Sequence, residues 1–148
     1  MITDYKFNGN FLHYVRLIKR LYENTLAMAA EECSLSVPEA DVLSFLRENP
    51  EFDTARDVAM YREVSRAYVS KAVELLAGRG YLRIVQDKTD RRLQHLVITD
   101  KAKDATEILH RAQFAFYGKV TAGLTEQELF TMLSVIAKCA DNLTVEFN

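Results

Sequence analysis

TARDVAMYREVSRAYVSKAVELLAGRGYLRIVQDKTDRRLQHLVIT, residues 54–99, changes rhythm partway along, and that change decides the fold. Thr54 with Asp57 three residues on has the form of a capping box, in which hydroxyl and carboxylate satisfy the backbone N–H groups a helix start leaves free. It opens a short helix through Val58, Ala59 and Met60 to about Tyr61. Ser65 caps the next helix, Arg66–Ala77, with Val69, Ala72, Val73 and Leu76 on its inner stripe. Gly78-Arg79-Gly80 stops it, because glycine takes φ > 0 without a steric penalty. Beyond Gly80, Tyr81–Gln86 and Leu93–Ile98 are β-favouring runs on either side of a polar segment, Asp87–Arg92, which predicts a hairpin with a charged tip.

Outward from this stretch the chain reads as helix. Phe7, Phe11, Tyr14, Val15, Ile18, Leu21, Tyr22 and Leu26 recur at intervals of three and four, predicting a first helix from Phe7 to about Ala30. Leu12 and Leu17 widen its apolar arc beyond what a single-sided helix needs, so it is expected to face two neighbours. Ser36-Val37-Pro38-Glu39 is a second capping box, opening a helix through Leu46 that Asn49-Pro50 ends. Thr99-Asp100 is expected to cap a long fifth helix reaching about Ala122, a span of 22 residues from Lys101 or about 33 Å. Thr125-Glu126-Gln127-Glu128 opens a sixth, ending near Leu143 and apolar over more than half its circumference, with Cys139 expected to be buried.

The 148 residues are 49% apolar, with 19 Lys and Arg against 21 Asp and Glu, which suits one compact domain. No apolar run approaches the roughly 18 residues of a membrane span, and the N-terminal residues lack a signal-peptide pattern, so the expected location is cytoplasmic. Cys33 and Cys139, far apart and outside any ligand spacing, argue against a disulfide framework and a zinc site. The net charge of −2 hides an asymmetry: residues 54–103 carry eleven Lys and Arg against six Asp and Glu, a balance of +5. The remainder carries −7, and a basic module on an acidic frame suits a phosphate backbone as partner.

Three helices followed by a two-stranded hairpin define a winged helix-turn-helix, whose second motif helix enters the major groove of double-stranded DNA. Arg66, Tyr68, Ser70, Lys71 and Glu74 lie off the inner stripe and are expected to project outward, with Ser65 and Arg66 at the end presented to base edges. Arg66 is placed to read a guanine, while Ser70 and Lys71 equally suit phosphates. At the tip, Lys88, Arg91 and Arg92 suit the narrow minor groove, and Asp90 is expected to hold the Arg92 guanidinium in a bidentate pair. Taken alone, such a tip is more often a solvated turn.

The run Asp57-Val58-Ala59, Val64-Ser65, Val69-Ser70-Lys71, Leu75-Leu76, Gly80-Tyr81-Leu82-Arg83, Asp87, Asp90-Arg91-Arg92 and Ile98-Thr99 resembles the DNA-binding module of the MarR-type winged-helix transcriptional regulators. The resemblance covers roughly residues 35–103, and departs at Ala67, Tyr68 and Ala102. It implies a mainly α fold with a small β-hairpin. A module at 35–99 would be flanked by dimerisation helices at 1–34 and 100–148, within one MarR-like domain spanning 1–148. It also implies a homodimer repressing from a pseudo-palindromic operator and releasing DNA when a small aromatic or anionic effector binds. His13, Arg16 and Tyr117 are the candidate polar groups for that effector; Arg16 with Lys19, Arg20 and Glu23 also reads as a solvated face.

Some relatives sense peroxide through a cysteine near the first helix, but Glu31 and Glu32 beside Cys33 would raise its thiol pKa, which disfavours that chemistry. Cys33, Glu107 and His110 could form a zinc set, but the chain has only three His and no His pair at i, i+4 spacing, so neither metal nor cofactor is expected. No phosphate-binding loop, nucleophile elbow or metal-helix motif supports an enzyme. The alternative is a winged-helix interaction or architectural module without operator specificity, since fold does not fix function.

Overall fold

The computed structural model describes residues 10–146. Helix α1 runs Asn10–Glu32, α2 Val37–Glu48, α3 Ala55–Arg62 and α4 Arg66–Gly78. Strands β1 (Leu82–Gln86) and β2 (Gln94–Ile98) follow, then a 3-10 turn Asp100–Ala102, α5 (Lys103–Val120) and α6 (Glu126–Glu146). The expected class, mainly helical with one hairpin, is therefore the observed one. The start of α1 expected at Phe7 lies outside the described residues. The chain divides into two compact units, one through Phe116 and one from Tyr117 onward.

Local chemistry explains the boundaries. Ser36 and Glu39 form the expected capping box, with the Glu39 N–H donating to Ser36 Oγ at 3.4 Å and the Ser36 N–H to Glu39 Oε2 at 2.9 Å. Thr54 and Asp57 repeat it on α3, Ser65 accepts from the Tyr68 N–H at 3.1 Å on α4, and Thr125 pairs with Glu128 on α6. The turn between α3 and α4 places Glu63 in the left-handed region at φ 52°, where α3 ends. Helix α4 closes with Gly80 at φ 76°, its N–H bonded to Ala77 O at 2.9 Å and the Tyr81 N–H to Leu76 O at 2.9 Å, a Schellman arrangement.

The fifth helix departs from expectation at both ends. The Thr99 hydroxyl donates to Gly80 O instead of capping, so residues 100–102 form a 3-10 turn and the α-helix starts at Lys103. It stops at Val120, where the chain turns toward Gly123 at φ 82°, and its 18 residues span about 27 Å, short of the expected length. Helix α6 extends past Leu143 to Glu146.

The core is one cluster: Leu43, Val42, Leu46 and Phe45 from α2, Val58 from α3, Val69, Ala72 and Leu76 from α4, Leu82 and Leu96 from the strands, and Leu109 from α5. β1 and β2 pair antiparallel with Leu82 opposite Ile98 and Ile84 opposite Leu96, and Thr54 bridges to His95, so the segment before α3 adds a short third edge. Glu39 is buried, yet its Oε1 accepts from Arg79 Nε at 2.7 Å, tying the end of α4 to the start of α2. Burial pushes the Glu39 carboxyl up, but the Ser36 hydrogen bonds and the Arg79 guanidinium outweigh it and hold it below the usual carboxylate range. Its stabilisation is thus present above the ordinary carboxylate pKa and is lost as pH falls through the lowered one. Glu39→Ala removes cap and ion pair together and is expected to cost about 2 kcal/mol in urea unfolding, with less lost in Glu39→Gln.

Candidate nucleic-acid interface

Helix α4 turns Val69, Ala72, Val73 and Leu76 into the core, and Arg66, Ser70, Lys71 and Glu74 are exposed on its other side, as their spacing requires. Ser65 sits at the helix start with its oxygen engaged as the cap. Tyr68 departs from the expected outward set. Its side chain is half-buried and packs on the core cluster, near the ion pair of Arg62 Nε and Asp41 Oδ1 at 3.1 Å. Burial, and then the Asp41 charge, push its phenol up against the opposing pull of Arg62. A ring of that size at the edge of the stripe gains more from the α2–α3 surface than from water.

Beside α4 lies a cleft of about 200 Å³ lined by Ala55, Arg56, Arg66 and Ser70. Two guanidinium groups and a hydroxyl, with no carboxylate among the lining residues, suit an anionic oxygen. Arg56 was not among the sequence candidates. Its signal was a cation in the first turn of α3, facing the same side as the start of α4.

The wing tip is held by carboxylates. Asp87 Oδ1 accepts from the Thr89 N–H at 2.7 Å, the Thr89 hydroxyl at 2.7 Å and the Asp90 N–H at 2.8 Å. The Asp90 N–H foremost, then Thr89, with a share from His95, hold the Asp87 carboxyl well below the usual carboxylate range. Asp90 Oδ1 accepts from the backbone N–H of Arg92 at 2.9 Å, so it orders the turn and does not clasp the guanidinium as expected. The two-residue separation suits an Asx turn, and the backbone donor wins. Gln86 Nε2 donates to Arg91 O at 2.7 Å. Lys88, Arg91 and Arg92 are exposed beyond this frame.

At the wing root, His95 Nδ1 lies 2.7 Å from Asp53 Oδ1 and Nε2 lies 3.1 Å from Asp87 Oδ2. Asp53 and then Asp87 raise the imidazole pKa. The sequence gives no local sign of this trio, because 42 residues separate Asp53 from His95.

Elsewhere, His13 and Arg16 are exposed on α1, and Tyr117 is exposed at the beginning of the second compact unit. Between α1, α2 and α5, Tyr22, Leu26, Ser44, Leu109, Gln113 and Phe116 leave about 10 Å³, space for at most one water. Cys33 Sγ donates to Ala105 O at 3.7 Å, and burial, then Glu32, push its thiol up, away from a reactive thiolate. Cys139 is exposed, contrary to the burial its apolar neighbours suggested. Helical periodicity groups residues on a face without supplying a partner for it. Among the described residues no three metal-ligating side chains gather, and no helix is long and apolar enough to cross a membrane.

The arrangement is a winged helix-turn-helix with exposed cations on α4 and on the hairpin tip. Residues 34–93 match the MarR family model. The HTH-type transcriptional regulator YwaE of Bacillus subtilis is 32% identical over 88 residues, 60% of this chain and 52% of that protein. The matched region thus spans about half the length of the curated relatives. A MarR protein from Peptoclostridium difficile shares the fold over 99% of this chain and 95% of its own, with TM-score 0.76 and 22% identity. The MepR–DNA complex of S. aureus shares it over 94% of this chain and 99% of its own, with TM-score 0.73 and 16% identity.

Replacing Asp87 by Ala removes the acceptor that organises the tip. Amide exchange at Thr89 and Asp90 is expected to accelerate about five- to tenfold, measured by NMR, with the strands unchanged. Because the Asp87 carboxyl is held low, the wild-type tip keeps its protection through mildly acidic pH and loses it only as pH falls through that lowered value.

Proposed function

We propose that the chain is a homodimeric, sequence-specific DNA-binding transcriptional regulator of the cytoplasm, a repressor that leaves a pseudo-palindromic operator when a small effector binds. One observation carries this reading. Arg66, Lys71, Lys88, Arg91 and Arg92 are exposed on α4 and the wing, and among the described residues none is held in an ion pair. Cations kept free at a structural expense in mutual repulsion suit phosphates and base edges better than a solvated turn.

In this mechanism α4 enters the major groove with Ser65 and Arg66 leading, and a bidentate Arg66 contact to guanine supplies about 1–3 kcal/mol of discrimination. Ser70 and Lys71, with Arg56 across the cleft, fix the register on phosphates, and Tyr68 braces α4 from behind. The wing lays Lys88, Arg91 and Arg92 along the minor groove, with Asp87 and Asp90 stiffening its backbone so that less entropy is lost on binding. The name of the S. aureus complex records DNA bound to a protein of this fold, which supports the assignment of partner.

Dimerisation is supported by apolar surface. On α1, Phe11, Leu12, Tyr14, Val15 and Ile18 are exposed, and on α6, Phe130, Leu133, Val135, Ile136 and Leu143 are exposed. Stripes this apolar are more than a lone chain keeps in water, and a second copy is the occupant that two-fold symmetry offers. Two copies would present recognition helices to half-sites about 34–36 Å apart. His13, Arg16 and Tyr117 remain the proposed polar groups for an aromatic or anionic effector. The space of about 10 Å³ between α1, α2 and α5 holds no such molecule as it stands, so a ligand there has to part the helices.

On a duplex enriched by the protein, Arg66→Ala is expected to weaken binding about tenfold and to relax one base position, by fluorescence anisotropy. Arg92→Ala is expected to weaken all duplexes alike and to lower the salt slope by about one. Equal affinity for every duplex would favour an architectural or protein-binding module, and a monomer by light scattering would overturn the dimer.

A further inference from the structure

The imidazole of His95 stands between two carboxylates that come from different parts of the chain. Asp53 belongs to the segment joining α2 to α3, and its backbone O also accepts from the Leu96 N–H at 2.7 Å. Asp87 opens the wing turn and anchors Thr89 and Asp90 through its other oxygen. Both ring nitrogens therefore face an acceptor, at 2.7 Å and 3.1 Å. A neutral imidazole has one N–H and one lone pair, so it bonds one carboxylate and repels the other; only the imidazolium donates to both.

We propose that His95 is a positioning residue of the DNA-reading unit: as an imidazolium it ties the wing root to the α2–α3 segment through Asp87 and Asp53, and DNA affinity rises as His95 takes up a proton. This deepens the DNA-binding reading above and rests on it. Two physical effects act in the same direction. Protonation restores the second hydrogen bond, holding Lys88, Arg91 and Arg92 in one orientation relative to α4. It also reduces the charge of the trio from −2 to −1 at the base of a wing that approaches phosphates.

The other charged groups nearby are already engaged or face elsewhere. Arg47 of α2 lines the same cleft as Asp53 but pairs with Glu107 at 3.1 Å. Asp57 of α3 is turned to the Thr54 hydroxyl at 2.6 Å, and Arg56 lines the cleft beside Arg66. Opposite His95 on β1 stands Val85, which carries no charge. The two carboxylates thus set the titration of His95, and they raise it. The sign follows: the clamp is fully formed below the ordinary imidazole pKa and is lost as pH rises through the raised one.

The test has a DNA-free arm and a DNA arm. In the free 148-residue chain, the His95 ring carbon and proton shifts are followed by NMR between pH 5 and 9. His95 is expected to titrate above an ordinary histidine, and Asp53→Asn to bring it back down. A wild-type His95 titrating at or below the ordinary value would overturn the clamp. In the second arm, anisotropy on an enriched duplex at constant ionic strength is expected to show wild-type affinity falling about two- to fivefold more from pH 6 to 9 than that of His95→Gln. His110→Gln, altered on α5, is expected to follow the wild type. Parallel profiles for wild type and His95→Gln, with selective binding intact, would overturn the coupling to DNA. If His95→Gln does not fold, Asp53→Asn replaces it and is expected to shift the profile to lower pH. Loss of selectivity at every pH would instead overturn the DNA-binding reading and the coupling with it, while the NMR titration still decides the clamp.

Discussion

The corner at Arg79-Gly80-Tyr81 is the constraint from which the winged-helix module takes its geometry. Gly80 in the left-handed region lets α4 end and β1 begin within a few residues, with Tyr81 bonded back to Leu76 O. The same corner receives Thr99 from the far end of β2, its N–H on Tyr81 O at 3.0 Å and its hydroxyl on Gly80 O. Arg79 reaches the buried Glu39 that caps α2. Helices α4 and α2 and both strands are thus joined at one place. A side chain at residue 80 would make only ordinary contact with the flexible Lys101, but it would strain a backbone at φ 76°, so the corner favours glycine. The corner thus fixes where the wing's base leaves α4, while its tip rests further on the contacts of Asp87 and His95.

Charge is sorted by the same fold. Several carboxylates of the module are engaged within it: Glu39 by Arg79, Asp41 by Arg62, Asp57 by Thr54, Asp87 and Asp90 by the wing backbone. Glu63 and Glu74 stay exposed, but on α4 and the wing tip the exposed cations Arg66, Lys71, Lys88, Arg91 and Arg92 outnumber them. A net charge of −2 for the chain therefore says little about the surface DNA would meet, and the local balance of +5 over residues 54–103 says much more.

Features governed by neighbours along the chain are legible in the sequence itself. The caps at Ser36, Thr54, Ser65 and Thr125, the stop at Gly80 and the hairpin all rest on interactions spanning a few residues. Features decided by distant partners are not. The Thr99 hydroxyl has the look of a cap and serves Gly80, 19 residues away. Tyr68 falls at the edge of the stripe, where an angle on a wheel does not reveal the Asp41–Arg62 pair beside it. His95 reads as one more polar residue of a strand, because nothing local announces Asp53. Asp90 belongs to the wing as expected, but it takes the backbone N–H of Arg92 where its guanidinium was expected. Apolar periodicity identifies α6 as a greasy helix without telling what covers it, which is why Cys139 was expected inside.

The central claim is that α4 and the wing read a specific duplex as one unit, twice, on a two-fold dimer. Selection of genomic DNA by the purified 148-residue chain tests it most directly. The account predicts enrichment of an inverted repeat whose half-sites lie about one helical turn apart, bound with a steep dependence on salt. Recovery of unenriched sequence, bound equally whatever its composition, would contradict it.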